Sequence, residues 1–92
     1  MRILKYLIKM HGETIIELNG IGRVLHVDVQ RQLPCVWVEV THQHPLYKET
    51  KKIRVFHTGE EIPNELLHKT KYIGTLLLDD GNYVGHVYQI IE

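Results

Sequence analysis

Tyr72-Ile73-Gly74-Thr75-Leu76-Leu77-Leu78-Asp79-Asp80-Gly81-Asn82-Tyr83-Val84-Gly85-His86-Val87-Tyr88 reads as two strands joined by a tight turn. Asp80-Gly81 is the turn signal, because both central residues of a type I′ turn need positive φ. Side chains alternate along a strand. Pairing 78 with 83 therefore puts Ile73, Thr75, Leu77, Val84, His86 and Tyr88 on one face. Tyr72, Gly74, Leu76, Leu78, Tyr83, Gly85 and Val87 fall on the other. Neither face is polar, whereas a small antiparallel sheet packed on one side keeps one wet face. Something is expected to cover the second face: another sheet layer, the segment around Pro63, or another subunit. A homo-oligomer is the expectation that follows.

The rest of the chain has the same rhythm. Period-two runs are read at Ile3–Lys9, Thr14–Leu18, Gly22–Gln30, Cys35–Thr41 and Lys51–Thr58, with turn residues between them. The only helical candidate is Pro63–His68, too short to stand alone. The fold class expected is all-β, a small antiparallel sheet or sandwich of about six to seven short strands with at most one helical turn. There is no repeat, linker or low-complexity tract, so residues 1–92 are read as one domain. A chain this short buries roughly 60–65% of its unfolded surface, so its core is thin.

A second register follows from the apolar positions. Leu25, Val27 and Val29 share one face of a strand, and Val36, Val38 and Val40 share one face of the next. A two-residue turn at Arg31-Gln32 pairs 30 with 33, 27 with 36 and 25 with 38, setting apolar opposite apolar. Positive φ at Arg31 and Gln32 costs roughly 1–2 kcal/mol each, and a wider loop would avoid it. The same pairing sets His26 opposite Trp37 and Asp28 beside Cys35, so this sheet too has a partly apolar second face.

Composition limits the function classes. Lys+Arg and Asp+Glu are 11 each, a net charge of zero, which argues against non-specific nucleic-acid binding. The single cysteine, Cys35, allows no internal disulfide and suits a reducing compartment. No stretch approaches the ~18 apolar residues of a membrane span, and the N-terminal segment lacks the continuous apolar region of a signal peptide.

Few residues invite chemistry. Histidine is frequent, at 7 of 92 residues. His42-x-His44 has metal-like spacing, but two ligands fall short of the three or four zinc takes, and no metal site is expected. His86 lies mid-strand opposite Thr75, either as a polar handle in a pocket or as a histidine satisfied by Thr75 and backbone. Gly74 and Gly85 share a face on adjacent strands and would leave a depression flanked by Tyr72 and Tyr83, suited to stacking on a planar ligand. Alternatively, the tyrosines fold over the glycines and repair the packing. Lys51, Lys52 and Arg54 belong to the basic run 48–54, which reads as a phosphate-binding patch or as a charged strand edge. Trp37, opposite His26 in the other hairpin, is the candidate partner contact there. Glu60 and Glu61 are adjacent and diverge, a poor acid/base pair. No catalytic set and no cofactor is expected.

Blocks along the chain resemble a small, uncharacterised family of tailed-bacteriophage proteins: LKYLI at 4–8, IEL at 16–18, VLHVDVQ at 24–30, PCVWVEV at 34–40, Thr58-Gly59 before EEIP, YIGT at 72–75, LDDG at 78–81 and HV at 86–87. Such proteins typically carry Asn-Gly where this chain has Arg31-Gln32, and a small residue where it has His57. The loop His42–Lys52 is the least similar part. The resemblance implies a phage accessory protein made in the host bacterial cytoplasm, and it assigns no functional residue. Three functions are compatible: an inhibitor or modulator that occupies a host protein, including an immune-defence factor; a sponge for a small nucleotide-like ligand; and a minor virion or assembly component.

Overall fold

A computed structural model describes residues 1–91. It contains seven strands: β1 (Arg2–Leu7), β2 (Gly12–Leu18), β3 (Ile21–Gln30), β4 (Leu33–Thr41), β5 (Glu49–His57), β6 (Thr70–Leu78) and β7 (Tyr83–Ile90). Two single 3-10 turns, Asn64–Leu66 and Asp79–Gly81, are the only helical pieces among the described residues. The strands form a three-stranded sheet ordered β1-β4-β3 and a four-stranded sheet ordered β2-β5-β7-β6. Every pairing is antiparallel.

The two sheets close over one apolar layer. Val36, Val38 and Val40 of β4 face Ile53 and Val55 of β5, Leu76 of β6 and Val87 of β7, all at most 1% exposed. Ile16, Leu18 and Val27 complete the cluster. A sandwich layer is about 10 Å thick, which accounts for the flat outline of 40 × 33 × 15 Å. The other sheet is thus the cover for one of each sheet's two apolar faces.

Both expected turns exist, with adjustments. Val27 pairs with Val36 and Gln30 with Leu33, so Arg31-Gln32 is a two-residue turn and not a wider loop. Arg31 and Gln32 sit at φ 52° and 63°, the left-handed pair that a type I′ turn requires. The β6–β7 hairpin pairs Leu78 with Tyr83 as derived. Its connection is four residues, not a tight two-residue turn. Asp79, Asp80 and Gly81 all take positive φ, and Asn82 N–H donates to Asp79 O at 2.9 Å. Aspartate tolerates this region because its short side chain can bond locally.

Two bulges overturn part of the face assignments. In β3 the register shifts between Val24 and His26, so Val24, not Leu25, lies opposite Val38. Leu25 is the extra residue and is 38% exposed. In β6 the register shifts between Tyr72 and Gly74. Tyr72 then lies opposite Tyr88 on the outer face, while Ile73 packs against the core. A bulge adds one residue to one strand and flips every side chain beyond it.

Candidate functional site

Three surface features carry the side chains that could act. The first is the outer face of the three-stranded sheet. Trp37 lies on the central strand, opposite Lys5 on one side and His26 on the other, and its ring is 6.0 Å from that of His26. Strand parity puts Ile3, Leu7 and Leu33 on the same face, exposed at 56%, 59% and 46%. Arg23 and Glu39 pair across it at 3.1 Å. Lys5 on β1 bonds Gln30 on β3, spanning β4 near Cys35, which is buried.

The second lies on the outer face of the four-stranded sheet. His86 Nε2 bonds the Thr58 hydroxyl at 2.7 Å and its Nδ1 bonds the Thr75 hydroxyl at 3.3 Å. Thr75 in turn meets the Tyr72 hydroxyl. His86 is therefore a half-buried histidine satisfied on both nitrogens, as its structural reading anticipated, with Thr58 in place of backbone. Below it, Phe56 and Tyr88 meet edge to face at 5.8 Å, Tyr72 and Tyr88 at 5.4 Å, and the Arg54 guanidinium stands 5.0 Å over Phe56. Phe56 is 1% exposed although it faces outward. Ile62, in the segment leading to Pro63, lines a hollow of about 280 Å³ with Phe56, His86 and Tyr88. The stretch before Pro63 thus borders this part of the outer face.

The third is at one end of the sandwich, where three chain segments meet. The turn His57–Glu60 is closed by Glu60 N–H donating to His57 O at 3.1 Å, with Gly59 at φ 85°. Glu60 folds back so that Oε1 accepts from His57 N–H at 2.9 Å and lies 2.8 Å from His11 Nε2. These contacts, first the main-chain N–H of His57 and then His11, hold the Glu60 carboxyl below its usual range. Tyr83 donates to Met10 O and lies 3.0 Å from His57 Nε2. Burial, and then the charge of Glu60, raises its phenol. The rings of His11 and His57 are 4.2 Å apart.

The expected ligand depression is not formed. Gly74 and Gly85 face the interior, where a Cβ at Gly74 would stand 2.9 Å from Val27 Cγ2 and one at Gly85 2.8 Å from Val55 Cγ1. They are glycines so that the two sheets and the strands within them can approach. Tyr72 and Tyr83 do not flank them together, because the β6 bulge sends Tyr72 to the outer face and Tyr83 turns to His57. The basic run does not form one patch either. Lys51 pairs with Glu49 at 2.6 Å and Lys48 with Glu17 at 3.0 Å. Lys52 and Arg54 lie on the face opposite to Lys51, by strand alternation. Tyr72, His86 and Arg54 are the predicted residues that do come together. His42 and His44 lie in an exposed loop, where His44 Nδ1 accepts from Leu46 N–H at 3.1 Å.

Sequence reasoning missed the end cluster. Its one local signal was His57-Thr58-Gly59-Glu60, a turn that returns a carboxylate to a histidine. His11 lies 49 residues from Glu60, and only the pairing of β2 with β5 brings it there. Among the described residues, no helix is long and apolar enough to cross a membrane. Compared with known proteins, residues 1–92 match a domain of unknown function, DUF7352. No curated protein and no solved structure matches the chain.

Proposed function

We propose, from the premise that this chain belongs to the DUF7352 family along its whole length, that it is a non-catalytic phage accessory protein that acts by occupying a bacterial host protein. The observation that supports this reading is the outer face of the three-stranded sheet. There a half-buried tryptophan lies between Lys5 and His26, with exposed Ile3, Leu7 and Leu33 further along the same face and Arg23 paired with Glu39. Protein contact surfaces are enriched in such a mixture, an aromatic anchor with exposed aliphatic and charged side chains on one face. Self-association belongs to the same reading, through the exposed Tyr72 and Leu77 of the edge strand β6.

Trp37 is the only tryptophan, so its emission reports directly on this face. The test is capture of a host protein from lysate, followed by titration of the purified pair. Trp37 emission should shift to the blue on binding. Trp37→Ala should weaken the pair by about 2 kcal/mol or more, as central aromatic anchors do, and Leu7→Lys should also weaken it. A purified pair that binds with unchanged affinity after both substitutions rejects this face as the contact.

A sponge for a nucleotide-like ligand has one observation in its favour. Tyr72, Tyr88 and Phe56 meet edge to face on the outer face of the other sheet beside His86, with Arg54 over Phe56. Aromatic faces and an adjacent guanidinium suit a base and a phosphate. A nucleotide-induced rise in melting temperature that Tyr88→Ala removes would favour this reading over the first.

A further inference from the structure

We infer that His11, His57 and Glu60 form a binding site for a divalent first-row transition ion of the zinc class. The sequence alone gave no metal site, because the only suggestive spacing was His42-x-His44. The folded chain brings together a different set, whose donor atoms lie within 4.8 Å of one another. Two imidazoles and one carboxylate are a donor set that zinc takes in three-ligand sites. In a tetrahedral site with bonds of about 2.0–2.1 Å, donors stand roughly 3.3 Å apart. His11 Nε2 and Glu60 Oε1 stand 2.8 Å apart, and all three donors lie within 4.8 Å of one another. Movements of side-chain size close the site.

The surrounding hydrogen bonds set His57 in the right tautomer. Tyr83 has one O–H, and it is donated to the carbonyl of Met10, which can only accept. We therefore assign the His57 Nε2 facing the Tyr83 oxygen as the donor. In the neutral ring that leaves the Nδ1 lone pair for an ion. A metal-bound histidine whose other nitrogen donates to an oxygen is the usual supporting arrangement, and Tyr83 supplies that oxygen. Glu60 is oriented by the main-chain N–H of its own turn, so its position does not depend on His11. The ion would take the place of the hydrogen that bridges His11 Nε2 and Glu60 Oε1, with the ring proton moving to Nδ1. The fourth position is left to water.

The three ligands come from the β1–β2 connection, the end of β5 and the turn that follows it. A bound ion would tie these together at one end of the sandwich. The experiment is calorimetric titration of zinc chloride into tag-free, chelator-stripped protein. One ion per chain is expected, with a melting temperature raised by roughly 10 °C or more at a hundredfold excess over Kd. His57→Ala and the isosteric Glu60→Gln, each checked for a folded spectrum, should weaken binding by more than about tenfold. Paired His42→Ala and His44→Ala should leave it unchanged. Cobalt(II) in place of zinc should give the visible absorption of a four-coordinate ion, removed by Glu60→Gln. No uptake at about a hundred micromolar zinc, uptake that survives His57→Ala and Glu60→Gln, or uptake lost with His42 and His44 would each overturn the site. The cluster would then be a hydrogen-bond network only.

Discussion

Arg31 and Gln32 show how a single turn can work against local preference. Both hold positive φ, which costs a side-chain-bearing residue roughly 1–2 kcal/mol. The register they enforce sets Val27 opposite Val36 and Val24 opposite Val38, and core burial outweighs the strain. Replacing the pair by Asn-Gly should keep the register and relieve that strain. Part of the gain is offset by the greater freedom glycine gives the unfolded chain. A net stabilisation of about 1 kcal/mol is expected, read as a melting temperature several degrees higher. Gly85→Ala should act in the opposite direction. Its new Cβ would press on Val55 Cγ1, a buried side chain with little room to yield, and meet the Tyr83 ring at 3.3 Å. The expected cost is about 1–3 kcal/mol, measured by chemical denaturation.

At the scale of the elements, charge ties loops to strands. Glu60 joins the turn after β5 to the β1–β2 connection through His11. Glu49 joins β5 to β3 by accepting from Lys51 and from Gly22 N–H. The Lys51 bond first, with help from Gly22, lowers the Glu49 carboxyl. Both glutamates thus titrate below the 4.5 of the free side chain when folded. A carboxylate depressed in the folded state contributes stability in full above its unfolded value and loses it as pH falls through the folded one. Melting temperature should therefore drop as pH is lowered beneath 4.5, and Glu49→Gln with Glu60→Gln should flatten that limb. Tyr83 acts at the other end of the scale. Its phenol is raised above 10.0, so its share is intact below that pH and fades as pH climbs through the folded value. Tyr83→Phe should remove this alkaline loss.

For the whole molecule, the central question is what meets its outer faces. On the outer face of the four-stranded sheet Phe56 is buried, with Tyr88 and Arg54 against its ring and Ile62 lining the adjoining hollow. Tyr72 and Leu77 on β6 remain 54% and 62% exposed. The three-stranded sheet leaves the Trp37 face open. Native mass spectrometry of gently purified protein should find an oligomer. A bare monomer at working concentration would remove self-association from the proposed function and leave the Trp37 face to a foreign partner.

Sequence alone determined the all-β class, the strands and the two hairpin registers near their turns. Period-two alternation and turn residues act over a few positions, so they can be read in a line of letters. The bulges at Leu25 and Ile73 were not legible, because an extra residue is accepted only where the opposite strand and sheet have room for it. Gly74 and Gly85 read as a hollow for the same reason: their emptiness is filled by Val27 and Val55, which come from other strands. The candidate site divided along this line. Trp37 and His86 could be picked out because each sits on a strand whose faces were known. The His11, His57 and Glu60 cluster was decided by tertiary structure alone. β2 pairs with β5, which brings His11 to His57, and a glycine turn then returns Glu60 to both.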